Sequence, residues 1–261
     1  MSQFVIVYQM IELTLIPLGF LIATVYSMVG LGGGTIFVPL LVLAFGLPAQ
    51  QAVGVSLLAI MFMAISSTIA YAIQKKINYK VGLLLDTLDV PGAFIGAYVT
   101  TLIVSRWLAG LFGALVLTIA IFMILKKNAK TDSNDAFKLS KRVVTYCIFG
   151  SLLSGIVAGT FGIGGGIIDE TVMIFMLGMS IHMSAGTAMF GMAITTIAAV
   201  IPHWLLGNIM LDYAVPLVIG CVFGAQLGPF LSKRASASTL RKVLGVILVL
   251  ISIRMLLVPF L

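Results

Sequence analysis

Gly30-Leu31-Gly32-Gly33-Gly34-Thr35 and its near copy Gly162-Ile163-Gly164-Gly165-Gly166 stand 132 residues apart, each inside an apolar run. Each interior glycine costs a helix on the order of 1 kcal/mol relative to alanine, so four of them in five positions should break one. The runs around them are long. Val81–Val104, Trp107–Leu125, Val143–Phe161 and Leu240–Ile253 are each about long enough to cross ~30 Å of hydrocarbon. Over 261 residues, 61% are hydrophobic, 9% are charged and the mean hydropathy is +1.21, far beyond what a water-soluble core requires. No sustained period of two marks the strands of a membrane barrel. The fold class expected is therefore all-α, a polytopic transmembrane helical protein.

The repeat extends beyond the glycines. At the same offset Leu47–Ser56 lies opposite Met179–Ala188, and at an offset of 128 Gly92–Ala97 lies opposite Gly220–Ala225. Three matched patches in one order indicate duplication. The expected organisation is a first transmembrane repeat over 1–126, a hydrophilic cytoplasmic linker over 127–142, and a second repeat over 143–261. The orientation follows from charge. With the glycine segments as broken spans each half crosses five times, and thirteen of the fifteen Lys and Arg fall on one side, leaving only Arg106 and Arg254 on the other. With re-entrant segments the count is eight crossings, and ten basic residues face five. The first arrangement, an inverted repeat with about ten crossings and the N-terminus outside, fits the charge better. The net charge of +7 thus reads as an orientation signal, and nucleic acid is not an expected partner. The start of the chain lacks a basic n-region and a small-residue cleavage site, so the first apolar segment is expected to remain as structure. The location expected is the cell (inner or plasma) membrane, with the lipid bilayer as partner.

Unwound backbone at membrane depth survives only where protein buries it or a wet cavity adjoins it. The short helices that follow, Thr35–Phe45 and Ile167–Leu177, begin with amides that have no intrahelical partner and carry partial positive charge, a natural seat for an anion. The candidate substrate-binding residues are Gly32, Gly33, Gly34, Thr35 and Ser56 in the first half, and Gly164, Gly165, Gly166 and Thr187 in the second. Close helix packing by small residues is the competing reading of the glycines.

These patterns resemble the sulfite exporter TauE/SafE family, also described as the domain of unknown function 81 group. The resemblance covers nearly the whole chain. It is carried by Gly30–Pro39 with Leu47–Ser56, by Gly162–Gly166 with Gly186-Thr187, and by His203, Gly207-Asn208-Ile209, Gly220, Gly224-Ala225, Gly228, Leu240-Arg241 and Gly245. It implies transport of sulfite, organosulfonates or related sulfur compounds. The second copy departs from the family pattern at Asp169-Glu170-Thr171, with Thr171 where Pro39 aligns.

Ionisable residues inside a membrane are expensive. Asp169 and Glu170, in the first turn of the second short helix, are candidates to hold a coupling proton or sodium ion, or else to cap free amides. Asp86 and Asp89, three apart and so on one helical face, read as markers of the interface near Lys80. Glu12 and Asp212 lie at the ends of apolar segments. His182 and His203 read as interfacial hydrogen-bonding residues, Trp107 and Trp204 as interfacial anchors. Cys147, Cys221 and the fourteen methionines read as packing residues, so no metal site and no cofactor is expected.

No Gly-x-x-x-x-Gly-Lys-[Ser/Thr] loop appears, which argues against a built-in ATPase. No nucleophile and base are spaced for catalysis, so no catalytic residues are expected. A secondary transporter for a small anion is the reading that uses both breaks; an anion channel and a non-transporting scaffold subunit stay open as alternatives.

Overall fold

The computed structural model describes residues 2–125, 141–175, 177–232 and 237–260. Eleven α-helices run through them: α1 (Ser2–Val29), α2 (Gly34–Leu43), α3 (Ala49–Ile73), α4 (Tyr79–Leu85), α5 (Asp89–Leu102), α6 (Ser105–Leu125), α7 (Lys141–Phe161), α8 (Gly166–Phe175), α9 (Ile181–Leu205), α10 (Leu211–Leu231) and α11 (Ala237–Leu257). The linker expected over 127–142 lies outside the described residues up to Ser140, and α7 already begins at Lys141. Lys233 and Arg234, and the side chains of Glu12 and Cys147, are likewise outside them.

Five segments are long and apolar enough to cross a bilayer by themselves: α3, α6, α9, α10 and Lys242–Phe260. A sixth span results if α4 and α5, bent by 41° at their break, count as one. α1 and α7 contribute the apolar stretches Leu13–Val29 and Ile148–Phe161. α2 and α8 have ten residues each. At 1.5 Å per residue they are about 15 Å long, half the hydrocarbon thickness.

Helix packing is paired across the chain. α1 packs mainly on α10 and α5 mainly on α7, while α3 meets α9 and α6 meets α11. In a bilayer such contacts depend on close backbone approach, because lipid is as apolar as leucine. The glycines supply it. A Cβ on Gly220 or Gly224 of α10 would collide with the carbonyl of Ile16 or Phe20 on α1, and one on Gly96 of α5 with the carbonyl of Ile156 on α7. The matched glycine patches at 92–97 and 220–225 are therefore packing surfaces. Local stops are also legible: Asn78 caps α4 by accepting from Val81 N, and Gly207 takes φ +70 where α9 ends. Trp107 and Trp204 stand exposed in the first turn of α6 and the last of α9. Cys221 is buried against the Gly19 carbonyl.

Candidate functional site

Both glycine patches break the chain in the same way. Gly30, Gly32 and Gly33 take φ of 76°, 82° and 77°; Gly162, Gly164 and Gly165 take 71°, 82° and 74°. An L side chain pays roughly 1–2 kcal/mol in this left-handed region, so only glycine suits a break that uses it three times. The half-helices start immediately afterwards. Their first intrahelical bonds are Ile36 N to Gly33 O and Ile168 N to Gly165 O, each 3.0 Å.

The breaks meet each other at the centre of the protein. A Cβ on Gly34 would strike the Gly162 carbonyl oxygen, and one on Gly166 would lie 2.8 Å from the Gly30 carbonyl oxygen. Met192, fully buried in α9, reaches between them, its sulfur 2.9 Å from where a Cβ of Gly164 would stand and its methyl against Gly166. The three glycines expected to line a pocket in each half thus lie together, in a conformation whose midline is filled by a thioether. Ser56 belongs to the same place, donating from its hydroxyl to Gly162 O at 3.0 Å. Thr35 and Thr187 do not open onto the midline. The Thr35 hydroxyl is hydrogen-bonded to Tyr26 at 2.9 Å, and Thr187 Oγ1 accepts from Asn78 N at 2.9 Å.

A second constellation adjoins the second break. Asp86, Asp89 and Asp169 are 5%, 0% and 4% exposed, and each offers a carboxylate oxygen within 4.8 Å of the others. The expected single helical face for Asp86 and Asp89 is not what forms. α4 ends at Leu85 and α5 starts at Asp89, whose amide makes only a short turn to Asp86 O at 3.2 Å. Pro91, with no N–H to donate, is suited to the first turn of a new helix and unsuited to the interior of a continuous one. The break turns both carboxylates inward, away from any interface near Lys80. Thr195 Oγ1 lies 3.1 Å from Asp86 Oδ1 and 3.2 Å from Asp89 Oδ2, with one proton to give to the two. A Cβ on Gly165 would meet Ser154 Oγ at 2.8 Å, Asp89 Oδ2 at 3.3 Å and Asp169 Oδ2 at 3.5 Å, so the unwound backbone of the second break lies against the cluster. Ser154 donates to the Gly165 carbonyl at 3.2 Å.

Glu170, expected to act beside Asp169, is buried on a different side. As the next residue of α8 it projects about 100° around the helix from Asp169. His203 is fully buried rather than interfacial: Nε2 donates to Gly159 O at 2.9 Å and Nδ1 accepts from Asn208 at 3.1 Å. His182 is hydrogen-bonded to Ser232 O at 3.2 Å.

A small apolar cavity of about 60 Å³, lined by Leu115, Ile119, Val157, Ile163, Gly165 and Ile168, touches the second break. A wider groove of about 280 Å³, lined by Thr118, Ile119, Phe122, Ile168, Thr171 and Val172, shares Ile119 and Ile168 with it.

Sequence reasoning missed Asp86, Asp89, Ser154, Thr195 and Met192. The two acids three apart in an apolar run were signal enough for a buried role. Ser154, Thr195 and Met192 look like any small or flexible residue of a membrane helix.

The family model for the sulfite exporter TauE/SafE matches residues 15–255. The chain is 30% identical over 258 residues to the probable membrane transporter protein YunE of Bacillus subtilis (strain 168), covering 91% of this chain and 94% of that protein. It is 28% identical over 214 residues to YdhB, a second probable membrane transporter protein of the same organism, covering 80% and 85%. It is 27% identical to a probable membrane transporter protein of Methanocaldococcus jannaschii over 258 residues, covering 93% and 94%. No solved structure matches the chain. A multi-pass helical protein whose two glycine breaks meet at its centre, matched across nearly its whole length, this chain belongs to the sulfite exporter TauE/SafE family of membrane transporters.

Proposed function

We propose that the protein is a secondary transporter, coupled to a proton or another ion, for a small anion such as sulfite, a sulfonate or another sulfur-containing organic anion. The observation that carries this reading is the meeting of the two breaks, with the first residue of α2 against Gly162 and that of α8 against Gly30. Amides at such termini attract negative charge, and broken helices at a repeat interface are where transporters hold substrate. In the conformation described, Met192 and the Gly162 carbonyl fill that point, so the anion enters when the halves separate. Residues 1–126 and 143–261 act as inverted repeats that rock about it, in the cell membrane, and the chain carries out no catalysis.

The test is thermal stability of the purified protein with sulfite, sulfonates, thiosulfate, sulfate and short carboxylates at two pH values, since a ligand that binds only the folded state stabilises it. A selective rise with a sulfur oxyanion, reduced in Ser56→Ala and lost in Gly165→Leu, is the expected result. No rise with any anion rejects the reading.

A further inference from the structure

We propose that Asp86, Asp89 and Asp169 form a buried binding site for one hard cation of the size of sodium or calcium. Three carboxylate oxygens within 4.8 Å of one another are close enough to be shared by one ion, and calcium's flexible oxygen coordination suits such a set better than magnesium, which demands near-ideal octahedral geometry. The donors are all carboxylate oxygens, with the Thr195 and Ser154 hydroxyls beside them to hold the carboxylates in place. Hard cations prefer that set.

Two observations beyond the acidity itself point to a ligand. Asp89 is fully buried, its Oδ2 is served by Thr195, and its Oδ1 has no hydrogen-bond partner. A buried carboxylate oxygen left unpaired costs free energy that a bound cation would recover. Among the described residues no basic side chain pairs with any of the three acids. The fold, in addition, does not demand acids here. At the offsets of 132 and 128 residues, the opposite half places Phe37 against Asp169, Ile22 against Ser154, Met63 against Thr195, Ala214 against Asp86 and Leu217 against Asp89, all apolar. Gly191 is spared a Cβ that would strike the Asp86 carboxylate, so the neighbouring helix is cut back to admit it.

Because Gly165 is part of the second break and lies against the cluster, occupancy of the cation site would set the position of that break. That role as coupling ion rests on the transport reading above; binding of the cation does not. The experiment uses full-length protein in detergent, without any candidate anion, titrated with sodium, calcium, potassium or magnesium against N-methylglucamine at constant ionic strength. Thermal stability and equilibrium dialysis with radioactive sodium or calcium are the readouts. The expected result is saturable, stoichiometric binding of sodium or calcium in preference to magnesium, lost in Asp89→Asn and Asp169→Asn. The Thr195→Val variant, which keeps all three acids, should weaken apparent affinity about tenfold, as removal of an outer-shell hydrogen bond does, so the inference stays testable if an Asn variant does not fold. No saturable binding to the wild type, binding unchanged in the variants, or stabilisation by acid alone would each overturn it. A second titration with the sulfur oxyanions separates the two readings: cation binding with no anion response leaves this site standing and removes the transport reading, and the converse removes only this site.

Discussion

Gly33 in the first break faces Phe37 and Ile22; Gly165, its counterpart in the second, faces Asp169, Asp89 and Ser154. The backbone is the same in both, with φ of 77° and 74°. What surrounds it has the opposite character. An architecture that closes one half with hydrocarbon could close the other likewise, so the carboxylates answer to something other than folding. The largest expected effect exploits that contrast. Phe37→Asp puts a lone carboxylate into a fully buried apolar site and should cost more than the ~3–5 kcal/mol of an uncompensated buried charge, since the ring's packing goes as well. Asp169→Leu should leave a folded protein as stable as the parent, or more so by about 1–4 kcal/mol, because replacing buried charge with hydrocarbon is often neutral or stabilising. Fluorescence-detected size exclusion and melting of both variants decide it. Equal loss in the two would mean that the acids serve the fold.

Gly33→Ala and Gly165→Ala sharpen the same contrast at lower cost. Each forces alanine into left-handed backbone, for roughly 1–2 kcal/mol, with the new methyl 2.9 Å from Phe37 Cε2 in one case and 2.8 Å from Ser154 Oγ in the other. Stability should fall by similar amounts. Only Gly165→Ala should change the response to sodium or calcium, since only that methyl reaches the carboxylates. A cation response altered equally by Gly33→Ala would place the ion at the midline instead.

How far the sequence went depends on the kind of signal each feature leaves. The helical membrane class and the two breaks were legible, because hydrophobic runs and clustered glycines act through local backbone physics. The packing role of Gly220 and Gly224 was not legible, because they stood out only as a matched patch of the repeat and the helix they pack against lies elsewhere in the chain. Asp86 and Asp89 were misread because a helix was assumed to run through them, and the break at Pro91 turns both inward. Asp169 was singled out but the residues that lie against it were not, since they come from the break between α4 and α5, from α7 and from α9, and no spacing along the chain joins them. Glu170, next in sequence, was grouped with it by adjacency, and helical geometry parts them.

At the far ends of the half-helices the halves are alike again. Gly46 and Gly178 take φ of 69° and 65°, and a Cβ on either would meet nothing within 4 Å. Alanine at each should therefore cost only the conformational term, about 1 kcal/mol, with the two melting temperatures falling together and cation and anion responses unchanged. A clear difference between them would show that the asymmetry of the breaks extends along α2 and α8.

The smallest effect separates two hydroxyls, one from each half, that the sequence offers for the same pocket. Ser56 donates to Gly162 O, the same oxygen that stands against Gly34, so Ser56→Ala frees a carbonyl at the meeting point of the breaks. Thr187 accepts from Asn78 N just ahead of α4, and Thr187→Val leaves that amide without its bond. Each change removes one hydrogen bond and should lower stability by about 1 kcal/mol. The consequences for ligand should diverge. Ser56→Ala acts where the anion is proposed to sit and should weaken the thermal response to a sulfur oxyanion, whereas Thr187→Val acts on the entry to α4 and should leave it intact. If Thr187→Val alone weakens that response, the anion binds beside α4 and α9, and the meeting of the breaks is a hinge instead of a seat.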